Sequence, residues 1–290
     1  MGAGSATTIS VCIRPATADD LSACQRLLQA NGLDGGETAP TPHVRHVLEQ
    51  GRLVVADDGG TTVGFAGAVD RGPRTFLTDC FVDPERLGQG VGRRLLEALL
   101  DRDRLLDTFA SDDPRALPLY ARFGMRPLAP LLWLRVESDR VAPLPETVEL
   151  EPVAPDDAEL VALDADIVRA PRPAEHALWS RGGAIPHVVR RGGRAVAYAW
   201  IGPSTSASRR GIWEVGPTGA RSEDDAAAIT LAAVAQACRM GGGAAIQMLG
   251  PHPALLPLFQ ASVRVVDRDT WMATTAYLDP ARYVPSLLHG

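Results

Sequence analysis

The sequence predicts an α/β protein made of two successive copies of one domain, and two observations support this. Segments with strand-like and helix-like patterns alternate along all 290 residues, and the same order of segments occurs twice. Four pairs of residues link the copies at separations of 137, 133, 133 and 139 positions: Asp19 with Asp156, Gly59 with Gly192, Pro84 with Pro217, and Pro114 with Pro253. Such near-constant separations are typical of an internal repeat.

Composition sets the expected boundaries of the copies. We expect a flexible leader at 1–8, a first copy at 9–136, and a linker at 137–147 that is rich in proline and charged residues. A second copy with a C-terminal tail then occupies 148–290. Each copy has the length of an ordinary domain of about 100 to 150 residues.

The elements of the first copy follow from capping residues, periodicity and turns. Thr17 is predicted to cap a helix that runs to about Ala30, and the turn Asp58-Gly-Gly is predicted to join two strands of a hairpin. Further strands are expected at 9–15, 77–82, 108–110 and 128–136, and the two strands of the hairpin at 53–57 and 62–69. Further helices are expected at 42–50, from the glycines at 88–92 to about 102, and at 113–124. In the second copy a helix is predicted at 222–239.

Charge and composition exclude several classes of protein. The net charge is −6 and all 29 basic residues are arginine, so general nucleic-acid binding, Schiff-base chemistry and a phosphate-loop lysine are not expected, whereas a cationic substrate suits the charge. No apolar run approaches the roughly 18 residues of a membrane span, and no export signal is visible. Four scattered cysteines lack metal-ligand spacing. We therefore expect a soluble, reduced, cytoplasmic protein without a metal or a membrane partner.

A glycine-rich corner lies between a predicted strand and a predicted helix. Gly88, Gly90 and Gly92 have no Cβ, so the backbone N–H groups at the start of the helix can surround an anion, and the helix dipole adds attraction. Dinucleotide sites require Gly-x-Gly-x-x-Gly with a later acidic residue, and nucleotide triphosphate loops require a lysine. The corner therefore predicts a phosphate cradle of another kind, with a purely structural turn as the alternative.

The segment Val82-Asp-Pro-x-x-x-Gly-Gln-Gly-Val-Gly92, followed by Leu119-Tyr-Ala-Arg-Phe-Gly124, resembles the GNAT superfamily of acyl-CoA-dependent N-acyltransferases. The resemblance spans most of 9–136 and, more weakly, 148–275. It implies in each copy a mixed, mostly antiparallel sheet flanked by helices, and acetyl-CoA or another acyl-CoA as co-substrate. In the family signature the position of Leu87 holds Gln or Arg.

The resemblance also implies roles for residues of the first copy. Tyr120 matches the tyrosine that protonates the departing thiolate, and a packed amphipathic tyrosine is the alternative. A backbone N–H near Phe81 or Val82 is expected to bind the oxyanion of the tetrahedral intermediate. The residues expected to bind the cofactor are Phe81, Val82, Leu87, Gly88, Gln89, Gly90, Val91, Gly92 and Arg93.

Asp79 is the candidate general base, because it lies on the cofactor strand and an amine near its reference pKa of about 10 must lose a proton before attack. A salt-bridged strand carboxylate is the alternative. His43 and His46 lie three residues apart on a predicted helix. They are expected to be lid or surface residues rather than metal ligands.

The second copy differs from the first at the positions expected to bind the cofactor and to supply the acid. Gly88, Gly90 and Gly92 correspond to Arg221, Glu223 and Asp225, and Tyr120 corresponds to Phe259. Ser222-Glu-Asp-Asp225 predicts a capping box whose carboxylates repel a pyrophosphate. We therefore expect one active and one degenerate copy. The four tryptophans of this copy either form an aromatic core or line a pocket near Tyr120: Trp179, Trp200, Trp213 and Trp271.

These observations predict an N-acetyltransferase that acts on a primary amine of a small molecule or peptide by direct transfer in a ternary complex. A longer acyl group remains open, as does a catalytically silent acyl-CoA-binding sensor or interaction protein. Both a monomer and a homodimer are compatible with the sequence.

Overall fold

The structure is a computed structural model that describes residues 11–32, 42–138, 144, 148–204, 211–261 and 263–286. The expected leader, the first two residues of the strand predicted at 9–15, and all but three residues of the predicted linker lie outside the described residues.

The protein has a mixed α/β fold that divides into two compact units. The first unit comprises Met1–Val69 and Leu77–Asp101, and the second comprises Asp70–Phe76 and Arg102–Gly290. No helix among the described residues has both the length and the apolar character needed to cross a membrane.

The first unit pairs its strands in the order β1-β2-β3-β4, and the β1–β2 and β2–β3 pairs are antiparallel. Its elements are β1 Cys12–Pro15, α1 Leu21–Ala30, α2 Pro42–Gln50, β2 Arg52–Asp58, β3 Thr61–Arg71, β4 Arg74–Val82 and α3 Val91–Leu99; the hairpin ends of β3 and β4 belong to the second unit.

Local signals place these elements close to their predicted positions. Asp20 accepts hydrogen bonds from the N–H and the hydroxyl of Thr17 at 2.8 and 3.1 Å, just before α1 begins. Gly59 and Gly60 form the predicted turn with φ values of 63° and 93°. The helix predicted to reach 102 ends at Leu99, because Leu100 takes an extended conformation.

The core of the first unit lies between helices α1 and α2 and the sheet. Leu27 of α1 and Val47 of α2 pack with Val55 of β2 and Phe65 of β3, and all four are buried. At roughly 25 cal/mol per Å² of apolar surface removed from water, such side chains hold the helices on one face of the sheet.

The second unit contains the remaining strands in the order β5-β12-β6-β11-β10-β9-β8-β7, with β13 paired to β10. Only β10 and β11 are parallel among the described pairs of this unit, so the sheet is mixed and mostly antiparallel, as predicted. Its elements are β5 Leu105–Ala110, α4 Ala116–Ala121, β6 Arg126–Glu137, β7 Glu151–Pro152, α5 Ala158–Val168, α6 Pro173–Arg181, β8 Ile185–Arg191, β9 Arg194–Pro203, β10 Ile212–Ala220, α7 Glu223–Met240, β11 Gly243–Leu249, α8 Leu255–Gln260, β12 Arg264–Ala273 and β13 Tyr283–Val284.

The predicted copies exchange their last strands inside the second unit. β12 pairs with β5 and β6, which both belong to the predicted first copy, and β6 pairs with β11 and β12, which both belong to the predicted second copy. Sequence patterns did not indicate this exchange, because either last strand satisfies the same antiparallel pairing. Both exchanged strands belong to the second compact unit, so the compact units do not coincide with the predicted copies. The repeat boundaries stay a prediction.

Candidate functional site

The glycine corner joins β4 to α3 in the first unit. Gly88 and Gly90 have φ values of 75° and 80°, which residues with a Cβ rarely adopt. A Cβ built at either glycine would meet no atom of the described residues within 4 Å, so both glycines are required by conformation, and the space beside them is open with respect to those residues. The corner therefore has the backbone shape and the room that a bound anion needs.

The first turn of α3 leaves its N–H groups available. Within the described part of the chain no side chain caps Gly90, the residue before the helix, and the first turn contains no acidic residue. The leading N–H groups of a helix have no intrahelical partner and attract anions. Arg93, half-exposed on this turn, is close enough to pair with Glu97 at 3.3 Å. The corner thus combines backbone donors with the positive charges of Arg93 and Arg94 on the same turn.

The corresponding corner of the second copy is closed by its own side chains. Ser222 caps α7 and accepts a hydrogen bond from the N–H of Asp225 at 3.2 Å, which is the serine half of the predicted capping box. Glu223, Asp224 and Asp225 all lie in the first turn, and Asp225 also pairs with Arg191 at 2.8 Å. The positive end of this helix is therefore already neutralised.

Asp79, the predicted base, is buried on β4 and is held by a histidine. The Nε2 atom of His43 lies 3.1 and 2.9 Å from the two carboxylate oxygens of Asp79. His43 and His46 are only 6% and 3% exposed, so the expected surface position is wrong. Both side chains lie on the inner face of α2 together with Val44 and Val47, which packs this face into the unit.

Gly67 on β3 makes room for this arrangement. A Cβ at Gly67 would lie 3.1 Å from Oδ2 of Asp79 and 2.8 Å from Cγ1 of Val47. Such contacts are too close for an ordinary side chain, so the absence of a Cβ lets the helix and the carboxylate approach β3. The sequence contains this glycine, but nothing in its local pattern indicates its partner.

Two cysteines near Asp79 have raised pKa values. Burial raises the pKa of Cys24 to about 12, and the negative charge of Asp79 adds to the effect. Burial and Asp79 likewise raise the pKa of Cys80 to about 12. Because thiolate is the nucleophilic form of cysteine, neither residue is suited to covalent catalysis near neutral pH.

The remaining predicted cofactor residues surround the corner. Phe81 packs against Phe65 with ring centroids 5.6 Å apart, and the carbonyl of Val82 accepts a hydrogen bond from the side chain of Asn31 at 3.2 Å. Leu87 is half-buried, and Gln89 donates to the carbonyl of Glu85 at 3.2 Å. Val91 is buried at the first position of α3, followed by Gly92. The oxyanion role of the N–H groups at 81 and 82 stays a prediction.

Tyr120 lies on α4 in the second unit and is 8% exposed. Its counterpart by sequence, Phe259 on α8, is 42% exposed. The two copies therefore use this position differently. The acid role of Tyr120 stays a prediction, since the glycine corner and Asp79 belong to the first unit.

A buried polar cluster occupies the second copy where the first has its histidine–carboxylate pair. Asp164 accepts hydrogen bonds from Arg172 at 2.7 and 2.9 Å, contacts Nε2 of His176 at 2.9 Å, and accepts from the hydroxyl of Tyr198 at 2.5 Å. These partners hold the pKa of Asp164 below its usual range, although burial opposes the shift. His176 follows His43 by 133 positions, yet its carboxylate partner comes from α5 rather than from a strand.

In the second copy, the buried indole of Trp200 lies at the position that corresponds to Gly67. Trp200 follows Gly67 by 133 positions, is fully buried, and packs against Trp179 and His176 with ring centroids 5.2 and 5.4 Å apart. Trp271 is also buried, at 2% exposure. Trp200 and Trp271 therefore belong to an aromatic core. Sequence reasoning missed the polar cluster, because Asp164 and Arg172 carry no motif.

Residues 21–125 match a family model described as the acetyltransferase (GNAT) family. The matched segment contains Asp79, the glycine corner and Tyr120. No curated protein matches the chain in sequence.

Solved structures with a similar fold cover nearly the whole chain. A Pyrococcus horikoshii protein assigned as an acetyltransferase has a TM-score of 0.76 at 16% identity, with 97% of this chain and 96% of that chain covered. A GCN5-related N-acetyltransferase from Sphaerobacter thermophilus has a TM-score of 0.59 at 17% identity, with coverage of 94% and 98%. A tandem GNAT protein from the clavulanic acid biosynthesis pathway has a TM-score of 0.61 at 16% identity, with coverage of 92% and 99%.

At these identities the likeness to solved structures is one of fold. The chain therefore has the fold of the GNAT proteins along its length, and its residues 21–125 carry the sequence pattern of the GNAT acetyltransferase family.

Proposed function

We propose that this protein is an acyl-CoA-dependent N-acyltransferase that moves acetyl from acetyl-CoA to a primary amine of a small molecule or peptide. The observation that carries the proposal is the corner at Gly88 and Gly90, with its left-handed backbone, its open space and the uncapped start of α3. It lies within the segment that matches the acetyltransferase family and follows directly from the strand that holds Asp79.

The residues of the corner fit the phosphate groups of acetyl-CoA. The backbone N–H groups from Gly88 to Arg93 would hold the pyrophosphate, and the guanidinium of Arg93 would add a positive charge. At Leu87 an apolar side chain replaces the usual polar contact, so binding relies on the backbone. Acetyl-CoA supplies the acyl group as a thioester.

Asp79 is the proposed base, and His43 keeps its carboxylate in place. A buried carboxylate attracts a protonated amine and takes its proton, which frees the nitrogen lone pair for attack on the thioester carbonyl. Backbone N–H groups near Phe81 and Val82 would stabilise the negative charge on the carbonyl oxygen. As the carbon–sulfur bond breaks, Tyr120 would give its hydroxyl proton to the departing thiolate.

The cysteines support direct transfer rather than a covalent enzyme intermediate. Cys24 and Cys80 have pKa values of about 12, so their thiols stay protonated at neutral pH. We therefore propose that the amine attacks the thioester itself within a ternary complex. A longer acyl group remains compatible with the same corner.

The second copy is proposed to be the degenerate one. Ser222 and the acidic first turn of α7 occupy the helix end that a pyrophosphate would need. Trp200 fills the position of Gly67, and Ile212 replaces Asp79 at the same separation of 133 positions. The closed helix end supports one cofactor site per chain, and the replacement of the residues at the positions of Gly67 and Asp79 supports one catalytic site.

The substitution Gly90→Glu tests the proposed cradle. Calorimetry with acetyl-CoA should show binding to the wild type and none to this variant, because the new side chain occupies the open space and adds negative charge. Gly60→Glu is the matched control, since Gly60 also has a positive φ and open surroundings but lies in the β2–β3 turn. Equal affinity in the wild type and in Gly90→Glu would sink the assignment.

Release of free CoA in the presence of an amine panel tests turnover. An acetyltransferase should release CoA with at least one primary amine and not without amine. Tight binding of acetyl-CoA with no release over any amine would instead favour the sensor, for which Leu87 and the lack of a clear base in the sequence are the supporting features.

A further inference from the structure

The second unit contains a cavity of about 270 Å³ that the proposed reaction does not use. It lies at the C-terminal end of α5, beside the β10–α7 corner and the segment 276–282. Its charged lining consists of three arginines and two aspartates: Arg169, Arg221, Arg282, Asp166 and Asp279. The cavity is open to solvent and is slightly smaller than the roughly 300 Å³ lower limit of typical ligand pockets.

The charged groups of the cavity do not balance. Asp166 accepts from Arg221 at 3.1 Å and lies 3.5 Å from Arg169, so one carboxylate serves two guanidinium groups. Asp279 pairs with Arg282 at 2.7 Å. Among the lining residues, three positive and two negative charges leave one positive charge for a ligand, and the acidic side chains of the first turn of α7 are not among the residues that line the cavity. Exposed ion pairs of this kind are weak, so an incoming anion can share the guanidinium groups.

Arg169 adopts a left-handed backbone conformation, which is unfavourable for residues other than glycine. Its φ of 60° is the only positive value of a non-glycine residue in the part of the chain that the structure describes. It is the residue that directly follows α5, a position where glycine is usual. An arginine at this position costs conformational energy, so we infer that its guanidinium contributes to binding at the cavity.

The backbone that carries the other two arginines is fixed. The N–H of Ala220 donates to the carbonyl of Arg282 at 3.1 Å, and Nη1 of Arg282 donates to the carbonyl of Arg221 at 2.9 Å. The N–H of Arg221 donates to the carbonyl of Val196 at 2.9 Å. The guanidinium of Arg282 and the backbone of Arg221 are therefore held in place, which lowers the entropy lost on binding.

An aromatic wall adds apolar surface to the cavity. The hydroxyl of Tyr277 donates to Asp107 at 2.5 Å, and the guanidinium of Arg74 lies 3.4 Å from the centroid of its ring. Leu278 and Ile167 also line the cavity. A ligand that fits has a charged end for the arginines and a short apolar part for this wall.

We propose that this cavity is a binding site for a small organic carboxylate. The planar fork of a guanidinium matches the two oxygens of a carboxylate, and a monoanion neutralises the single excess positive charge. Arg221 occupies the position that Gly88 has in the first copy, so the degenerate corner carries a side-chain cation instead of a backbone cradle. The inference does not depend on the proposed transferase activity.

Saturation-transfer NMR with sodium butyrate tests the site on the full chain. We expect a saturable signal in the wild type and also in Gly90→Glu, which removes the proposed cradle in the first unit. A signal in the wild type that disappears in Gly90→Glu would place butyrate at the cradle and overturn the proposal. Complete absence of a signal in both proteins would also overturn it.

Substitutions then locate the site. Arg221→Gln should weaken butyrate binding by about tenfold, the loss of one charged hydrogen-bonding partner. Arg194→Gln, an exposed arginine at the start of β9, is the matched control and should have no effect. Equal binding by the Arg221→Gln variant and the wild type would contradict the assignment. Inorganic phosphate at equal ionic strength should not displace butyrate, and displacement would overturn the choice of carboxylate.

Arg169→Gly separates binding from stability. Glycine relieves the positive φ, so the melting temperature should stay the same or rise while butyrate binding weakens. A rise in melting temperature with unchanged butyrate binding would show that Arg169 has no part in the site.

Discussion

His43 holds both carboxylate oxygens of Asp79, with Nε2 at 3.1 and 2.9 Å from Oδ1 and Oδ2. The contact joins α2 to β4 within the first unit, across residues 36 positions apart in sequence. With Nε2 protonated, the imidazole donates to the carboxylate and fixes its orientation. A base that is already oriented loses less entropy when its substrate arrives.

Asp79→Asn should lower kcat by about 100-fold, because an amide cannot accept the proton of the amine. The affinity for acetyl-CoA should stay near normal, since the cradle is unchanged. Steady-state release of CoA and calorimetry measure the two quantities. Glu49→Gln on the exposed side of α2 is the control and should behave as the wild type. Unchanged kcat in Asp79→Asn would remove this residue from the mechanism.

Tyr120→Phe should lower kcat by about tenfold or more, because the departing thiolate loses its proton donor. Binding of acetyl-CoA should be nearly unaffected, because the substitution removes one hydroxyl from a buried ring. Steady-state release of CoA measures kcat, and calorimetry measures the affinity for acetyl-CoA. A variant with wild-type turnover would leave Tyr120 with a packing role only.

Calorimetry should give one bound acetyl-CoA per chain, because Ser222 and the acidic first turn of α7 block the second corner. Glu223→Ala should leave this stoichiometry at one, since Ser222 and Asp225 still close the helix end. Ser222→Ala should cost about 1 kcal/mol of stability through loss of the cap, measured by urea unfolding. A stoichiometry of two in the wild type would contradict the proposed degeneracy.

Asp269→Asn should stabilise the protein at pH 8 and have little effect at pH 4. Burial raises the pKa of Asp269 to about 6, and the negative charges of Asp267 and Asp112 add to the shift. The unfolded carboxyl ionises near pH 4, so the wild type loses stability as the pH rises from about 4 to 6. The amide cannot ionise and still accepts from the Trp133 indole, which lies 2.8 Å from the present carboxylate.

Urea unfolding at pH 4 and pH 8 measures this difference, and we expect a gain of about 1 to 2 kcal/mol at pH 8 only, after allowance for partial exposure. An equal gain at both pH values would show that charge is not the cause.

Features encoded by neighbouring residues could be predicted from the sequence. The turn at Gly59 and Gly60, the cap at Ser222 and the helix at 42–50 depend on contacts within a few positions, and all three are present. The left-handed conformations of Gly88 and Gly90 belong to the same class, since only glycine adopts them readily.

Long-range contacts could not be predicted in the same way. The pairing of His43 with Asp79 depends on the close approach that Gly67 permits, and a single sequence does not show which residue approaches a glycine. The burial of His43 could have been inferred, because His43, His46 and Val47 share one helical face. The pairing of β12 with β5 had no local signal, since equivalent strands of two copies can replace each other.

The exchanged strands bear on how such a chain evolves. Each last strand is paired on both sides by strands of the opposite copy, so neither copy can be lost without exposing the hydrogen-bonding groups of a strand that remains. If the second copy has lost cofactor binding, as proposed above, it would therefore still be under selection, because its mutations would act on the fold of the other copy. On this proposal, inactivation of one copy would be tolerated, whereas its deletion would not.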